Sequence, residues 1–137
     1  MKLIMQIPTA TMNEYINAER TNRYKAAKAK RQETFAASVA VSNAMKKGAA
    51  FDWPCALKFT WHVKNRKKDP DNISFCKKFI LDGMQKAGFL PNDSMKYITG
   101  FVDVFIADGK SIVEIEPIDL GGCDESNADE TDAQKVP

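Results

Sequence analysis

Residues 64–94, KNRKKDPDNISFCKKFILDGMQKAGFLPNDS, carry the strongest structural signals of the chain, because they hold a basic loop, an acidic turn and one complete helical pattern. The pattern predicts a helix over residues 73–87, closed by Gly88 and with Asp71 or Asn72 as its N-cap. Phe75 and Phe79 add a second apolar stripe to this helix. The helix is therefore buried between layers or lies at a subunit contact, and both alternatives stay open. The residues of its main apolar face are Ile73, Cys76, Ile80, Met84 and Ala87.

The segment before the loop, residues 55–64, has the alternation of a half-buried strand. Its apolar side chains are Cys55, Leu57, Phe59, Trp61 and Val63. His62, the only histidine, falls on the more polar face, and we expect it at the surface or at the rim of a site rather than as a ligand. A single histidine also argues against most zinc hydrolases and against histidine-activated nucleophiles.

The remaining segments complete a mixed architecture. Residues 2–7 predict a strand, and residues 13–47 predict one or two helices with a break near Thr21–Asn22 and a stop at Gly48. Residues 97–107 and 110–117 predict two paired strands, because Asp108–Gly109 is a strong hairpin signal. The expected fold class is α/β (α+β), a small mixed sheet with packed helices in a single domain, residues 1–117.

Charge divides the chain into two parts. Residues 1–117 carry 19 Lys and Arg against 12 Asp and Glu, a balance of +7, whereas residues 118–137 carry one Lys against six acids, a balance of −5. A basic body is typical of a protein with a polyanionic partner, although many soluble domains are as basic. The tail, residues 118–137, lacks an apolar pattern and is predicted to be disordered.

Other features place the protein among ordinary intracellular domains. No apolar run approaches the roughly 20 residues of a membrane span, and residues 1–8 do not make a secretory signal. We therefore expect a cytoplasmic protein without membrane contact. Cys55, Cys76 and Cys123 are odd in number and lack metal-site spacing, so no disulfide framework or zinc site is expected. Cys55 and Cys76 are expected to be buried thiols.

The chemistry concentrates where the basic loop meets Asp69 and Asp71. Two carboxylates held this close repel each other, and a bound divalent cation would relieve the repulsion. Mg²⁺ suits such a site, because it favours a few carboxylates together with waters and phosphate oxygens. This arrangement favours phosphodiester hydrolysis, with the neighbouring bases holding the polyanion. The alternative is structural, since Asp-Pro-Asp-Asn is also a good turn and helix start. The bases expected to contact phosphates are Lys64, Arg66, Lys67 and Lys68.

The run from Asp69 to Ser94 resembles the central signature of the RusA family of Holliday-junction resolvases. It has the D-x-D-N start at Asp69–Asn72, the helix end Lys86–Phe89 (KAGF), and a later aspartate, Asp93. The segment around Asn13, TMNEYINAERTNRY, resembles the N-terminal part of the family. The resemblance extends over roughly residues 3–117.

The resemblance implies a Mg²⁺-dependent endodeoxyribonuclease for branched DNA in recombination or repair, in a phage or prophage setting, with Mn²⁺ as a possible substitute. Asp69, Asp71 and Asp93 would be its metal ligands, and Asn13 would join the basic loop in binding DNA. The family also implies a homodimer that nicks two strands of a four-way junction. A helix lysine would assist at the phosphate; alignment from the helix end favours Lys78, and helical geometry favours Lys77.

Two further interpretations complete the analysis. Asp82 lies opposite the core stripe and is interpreted as structural, able to pair with Lys78 four residues before it. The competing function is a non-catalytic DNA-binding accessory protein, which would use the same basic loop with Asp69–Asn72 as a mere turn. A weaker competitor is a metal-dependent phosphoesterase acting on small nucleotides.

Overall fold

The computed structural model describes residues 1–8, 20 and 22–120. It is a mixed α+β domain, as predicted. Its elements in chain order are β1 (Leu3–Gln6), α1 (Arg23–Lys46), β2 (Cys55–Val63), α2 (Pro70–Ser74), α3 (Lys77–Lys86), β3 (Ile98–Ala107) and β4 (Ile112–Ile118). Ile118 belongs to β4, so this strand passes the predicted start of the tail by one residue. Asn13 and residues 121–137 of the predicted tail lie outside the described residues.

The sheet has the strand order β1-β4-β2-β3, with β2 at its centre. β2 pairs parallel with β3 and antiparallel with β4, which in turn pairs antiparallel with β1. The predicted alternation of β2 is confirmed, because Leu57, Phe59 and Trp61 are fully buried on one face. On the other face Ala56 and Thr60 are buried as well. The central strand is therefore more than half-buried, and β4 and β3 lie on either side of it in the sheet.

The predicted hairpin between β3 and β4 is wrong. Asp108–Gly109 does form a turn, and Gly109 has a φ of 84°, but the two strands flank β2 rather than each other. The backbone N–H groups of Asp108 and Gly109 both donate to the carbonyl of Val63, the last residue of β2. The turn therefore crosses the end of β2. Both strands pair with the buried central strand β2 instead of forming the hairpin that the Asp108–Gly109 turn predicted.

The two longer helices cover one face of the sheet and close a single core with it. The break predicted near Thr21–Asn22 is confirmed: the side chain of Asn22 accepts hydrogen bonds from the N–H groups of Tyr24 and Lys25 and caps the start of α1. The helix ends before Gly48, whose φ is 97°. The core joins residues of α1, the helical segment after the basic loop, and the sheet, including Val41, Ile73, Ile80, Met84, Leu3, Phe59, Trp61 and Ile115.

The helix predicted over residues 73–87 is divided in two. Proline favours the first turn of a helix, so α2 begins at Pro70 and its N-cap position falls on Asp69 rather than on Asp71 or Asn72. Phe75 and Cys76 join α2 to α3. Phe79 is fully buried within the chain. Phe79, one of the two residues of the second apolar stripe, therefore packs in the interior of the domain. Its ring is not exposed for a subunit contact.

Candidate metal and nucleic-acid site

The basic loop follows the end of β2 and presents its charges to solvent. The side chain of Asn65 accepts a hydrogen bond from the N–H of Lys67 at 2.9 Å and so turns the chain. The four cationic residues of the loop are all exposed, and in the described part of the chain no carboxylate pairs with them. They are Lys64, Arg66, Lys67 and Lys68. Four like charges in five positions make this end of the sheet an attractive place for a polyanion.

Asp69 and Asp71 stand at the head of α2, immediately after these bases. The carbonyl of Asp69 accepts hydrogen bonds from the N–H groups of Asn72 and Ile73, but its side chain makes no capping hydrogen bond. Both aspartates are exposed. Among the described residues neither carboxylate has a hydrogen-bond or ion-pair partner. The capping bond expected of a purely structural Asp69 is therefore missing, and Asp71 retains only its favourable place in the first helical turn.

Asp93 lies in an exposed turn beyond the end of α3. The turn is built by its neighbours, since the side chain of Asn92 accepts from the N–H of Ser94 at 2.8 Å. Within residues 1–8, 20 and 22–120, no three carboxylate, imidazole or thiol side chains are grouped so as to hold a metal ion. The joining of Asp93 to Asp69 and Asp71 therefore stays a prediction.

The donor set that is in place suits a hard cation. Mg²⁺ often binds through one or two carboxylates, retaining several waters and accepting substrate phosphate oxygens. Asp69 and Asp71 are two exposed carboxylates that have no competing partner within residues 1–8, 20 and 22–120, and Pro70 between them limits the backbone. The carboxylates of these two residues match the chemistry of Mg²⁺, or of Mn²⁺ in its place, and a metal bound here in company with a phosphate stays a prediction.

Lys77 and Lys78, the two candidates for the assisting lysine, lie in different environments. The ammonium of Lys77 is 2.7 Å from Oδ2 of Asp103 and 4.4 Å from the ring centre of Phe101. Asp103 also accepts a hydrogen bond from the indole of Trp61 at 2.8 Å. Lys78 is exposed. Lys77 is thus engaged in joining α3 to the sheet, whereas Lys78 is available to a ligand.

Asp103 is a residue that the sequence analysis did not single out. It occupies the helix-facing side of β3, between Phe101 and Phe105, where an apolar residue would be expected from the alternation. A carboxylate in such a position needs a partner, because an unpaired charge is costly there. This exception to the alternation was the sequence signal that could have identified Asp103 as a paired residue. Its partner in the structure is Lys77.

The structure gives Asp82 a different ion-pair partner from the predicted Lys78. Its carboxylate lies 4.0 Å from the ammonium of Lys30 on α1. Lys78 makes no ion pair in the described part of the chain. The contact between α1 and α3 brings Lys30 towards Asp82, and helical spacing within α3 alone cannot reveal it.

His62 is more enclosed than a surface residue. Its side chain is only 12% exposed, with Nδ1 2.6 Å from Oδ2 of Asp108 and Nε2 3.4 Å from Oε2 of Glu114. The hydrogen bond with His62 lowers the pKa of Asp108. A hydrogen bond from Lys2 is the main cause that lowers the pKa of Glu114, with His62 contributing. The cluster ties β1, β2, β4 and the turn together.

The buried-thiol prediction is confirmed for Cys76, which is 1% exposed. Cys55 is half-buried, and burial together with the charge of Asp52 raises the pKa of its thiol. Cys123 lies outside the described residues.

Two cavities flank the basic loop. One, of about 650 Å³, is lined by Lys64, Lys67 and Lys68 together with Ile7, Cys76 and Ser111. The other, of about 480 Å³, is lined by Arg66, Lys68 and Pro70 together with Phe105 and Ala107. Val63, Asn65, Lys68 and Ile73 line both cavities. The loop therefore offers concave surfaces on both sides, next to the aspartate pair.

Comparisons with known proteins add no family. No protein-family model matches the chain, and no curated protein matches it. In the part of the chain that the structure describes, no helix is long and apolar enough to cross a membrane.

Proposed function

We propose that this protein is a Mg²⁺-dependent endodeoxyribonuclease that cuts branched DNA such as four-way junctions. The proposal rests on one observation above all: an exposed basic loop is followed directly by two exposed aspartates that have no partner among the described residues. Bases alone would bind DNA without cutting it, and carboxylates alone would repel it. The two together can hold a phosphodiester beside a metal ion.

Each group has a separate task in this proposal. Lys64, Arg66, Lys67 and Lys68 bind phosphates and position the strand without reading its sequence. Asp69 and Asp71 hold Mg²⁺, with Asp93 as the proposed third ligand. The bound metal supplies charge stabilisation at the phosphoryl group and an acidified water. Lys78, exposed on α3, is the more available of the two lysines to steady the phosphate, because Asp103 already engages Lys77.

Homodimerisation, a phage or prophage setting and a role in recombination or repair belong to the proposal through the resemblance to RusA-type resolvases. A dimer would present two aspartate pairs to the two strands of a junction. Because Phe79 is buried within the chain, its ring does not contribute to the proposed subunit contact. Sedimentation equilibrium should give a mass twice the 15.3 kDa of the chain; a monomer at all concentrations contradicts the dimer.

The first experiment is a gel assay with the wild-type protein and Asp71→Asn. End-labelled four-way junction and linear duplex of the same sequence are incubated with each protein in Mg²⁺ or in EDTA. The wild type should introduce paired nicks in the junction only when Mg²⁺ is present. Asp71→Asn should not cut, yet should bind the junction as well or better, because a repulsive charge has been removed.

Asp82→Asn is the matched control, since it removes one carboxylate from the same helical segment but far from the loop in sequence. It should cut like the wild type. Junctions and flaps left uncut by the wild type in Mg²⁺ and in Mn²⁺ would refute the nuclease.

A second candidate is a non-catalytic DNA-binding protein, and one observation favours it. The described residues hold no group of three metal-ligating side chains. In that case the junction should be shifted but uncut in every lane, and Asp71→Asn should change only the affinity.

A further inference from the structure

We propose that the cavity between the basic loop and the end of β3 binds one unpaired nucleobase of the branched DNA, stacked on Phe105. This inference rests on the proposed DNA-binding function and adds the chemical group that the site recognises. The cavity measures about 480 Å³, within the range of small-molecule sites. Its lining combines an aromatic ring, cations and an amide, the groups that single-stranded nucleic-acid sites use.

Phe105 provides the apolar platform of this cavity. Its side chain is half-buried and packs against the core at one side. In the described part of the chain no other aromatic ring contacts Phe105, whereas Phe59 and Trp61 on the neighbouring strand stack on each other at 5.5 Å. A ring without an aromatic partner that lines a cavity can accept the face of a base. Every base has such a face, so this contact does not require a particular sequence.

The charges at the cavity determine which kind of flat ligand fits. Arg66 and Lys68 line it, and no described carboxylate does. A flat ligand that carries a phosphate matches an apolar wall beside two cations, whereas a neutral aromatic ligand would leave the cations unused. Asn65 adds an amide that can hydrogen-bond the edge of a base. A nucleotide of the DNA combines all three features.

The position of the cavity links it to the aspartate pair. Pro70, which separates Asp69 from Asp71, is part of the cavity wall, and so is Lys68, which precedes Asp69. A base held in the cavity would bring its own phosphate to the chain segment that carries the proposed metal ligands. Recognition of such a base would therefore favour DNA in which a base is unpaired or loses its stacking at a branch point over intact duplex, in which every base is stacked and paired.

The other cavity beside the loop is the natural comparison. It is larger, about 650 Å³, and has three lysines, but no described aromatic residue lines it. It can attract phosphate without offering a ring for stacking. The inference therefore applies to the cavity of Phe105 alone.

The test measures binding in EDTA, so that cutting does not interfere. Two fluorescent four-way junctions carry one extra nucleotide at the crossover, a thymidine in the first and an abasic site in the second. Anisotropy titrations should show that loss of the base weakens binding by the wild type by about 5-fold to about 100-fold. Phe105→Leu, which keeps an apolar side chain but no ring, should bind both junctions with equal affinity.

Three further variants separate stacking from a general loss of structure. Phe105→Tyr keeps the ring and should retain the effect of the base. Ala107→Phe fills the cavity from an exposed position in its wall and should abolish the effect without touching the core. Ser111→Phe fills the other cavity and should leave the effect unchanged. A Ser111→Phe protein that loses the base effect while Ala107→Phe keeps it would overturn the assignment.

A photocrosslink locates the base directly. An iodouracil base in place of thymine should crosslink to Phe105 on irradiation, as identified by mass spectrometry of the peptide. Equal affinity of the wild type for the two junctions, or a crosslink confined to other residues, overturns the inference. Junction cutting in Mg²⁺ is scored separately. If the protein cuts the junction but the base does not affect binding, the proposed nuclease function holds and the proposed base-binding cavity is wrong. If the base affects binding but the protein does not cut, the cavity assignment holds and the nuclease function is wrong.

Discussion

At the scale of single residues, Lys77 and Lys78 show how neighbours on a helix acquire different roles. The ammonium of Lys77 is shared between the carboxylate of Asp103 and the ring of Phe101. Asp103 and Lys77 are 23% and 16% exposed, so the pair is largely shielded from water. Removing one partner of such a pair leaves the other charge poorly compensated. Lys78 forms no such ion pair within the described part of the chain.

Lys77→Met should therefore lower the free energy of unfolding by about 2 kcal/mol, because Asp103 loses its partner. Lys78→Met should change it by less than about 0.5 kcal/mol, as is usual for an exposed side chain. Urea denaturation measures both values. Junction binding measured on the same proteins should fall for Lys78→Met. A stable Lys77→Met protein that fails to bind or cut would return the phosphate role to Lys77.

The His62 cluster predicts a loss of stability in acid. The carboxyls of Asp108 and Glu114 have lowered pKa values in the folded protein. Their stabilising contribution is therefore complete above their ordinary values of 3.8 and 4.5 and is lost as the pH falls through the lower folded values. Asp108→Asn should remove part of this dependence, although its side-chain oxygen can still accept from the N–H of Lys110.

Urea midpoints measured from about pH 5 to about pH 3 should fall more steeply for the wild type than for Asp108→Asn. Asp52→Asn, which removes an exposed carboxyl elsewhere, should follow the wild-type curve. Parallel curves for the wild type and Asp108→Asn would mean that the contact with His62 adds nothing to stability.

At the scale of elements, the contact between α1 and α3 depends on a missing side chain. A Cβ built on Gly83 would lie 2.5 Å from the Cβ of Ala37 and 2.8 Å from the backbone nitrogen of Ser38. Both atoms belong to α1, and one of them is backbone, so neither can turn aside. Gly83 is therefore required for the two helices to approach, even though glycine is a poor helix former.

Gly83→Ala should destabilise the protein by up to about 2 kcal/mol, because overpacking costs about 1–3 kcal/mol and the gain in helix propensity offsets about 1 kcal/mol of that cost. The double variant Gly83→Ala with Ala37→Gly moves the methyl group to the other helix and should recover part of the loss. Thermal or urea unfolding of the wild type, Gly83→Ala and the double variant measures these differences in the free energy of unfolding. A more stable Gly83→Ala protein would show that the helices are not held this closely.

At the scale of the whole molecule, charge is the property that governs binding to DNA. Each phosphate contact releases counterions, so the logarithm of the binding constant should fall linearly with the logarithm of the salt concentration. Lys67 and Lys68 are exposed at the end of the sheet that carries the proposed site. Lys46 and Lys47 are equally exposed at the end of α1.

The double variant Lys67→Ala with Lys68→Ala should reduce the magnitude of the salt slope for duplex by about 1.8, at about 0.9 for each lost phosphate contact. The double variant Lys46→Ala with Lys47→Ala changes the net charge by the same amount and should leave the slope nearly unaltered. Anisotropy titrations at several salt concentrations provide the slopes. Equal slopes for the two double variants would mean that binding follows total charge and not the loop.

Features that depend on neighbours along the chain could be predicted from the sequence alone. Alternation in residues 55–64 predicted β2, and the 3.6-residue period of Ile73, Cys76, Ile80 and Met84 predicted the buried helix face. The break predicted near Thr21–Asn22 corresponds to the start of α1. The exposed basic loop followed by Asp69 and Asp71 was also visible in the sequence. These features are local because periodicity, capping and turn formation act over a few residues.

The tertiary structure sets which distant residues meet, and the sequence did not reveal these contacts. It separated β3 from β4 by β2, because the sheet gains more by burying the central strand than by closing a hairpin. It paired Lys77 with Asp103 and Asp82 with Lys30, and it enclosed His62 between two carboxylates. It also placed the ring of Phe105 beside the basic loop. Such contacts depend on how the helices and strands pack against each other. They join residues that are far apart in the sequence, and no periodic pattern in the sequence predicts such pairs.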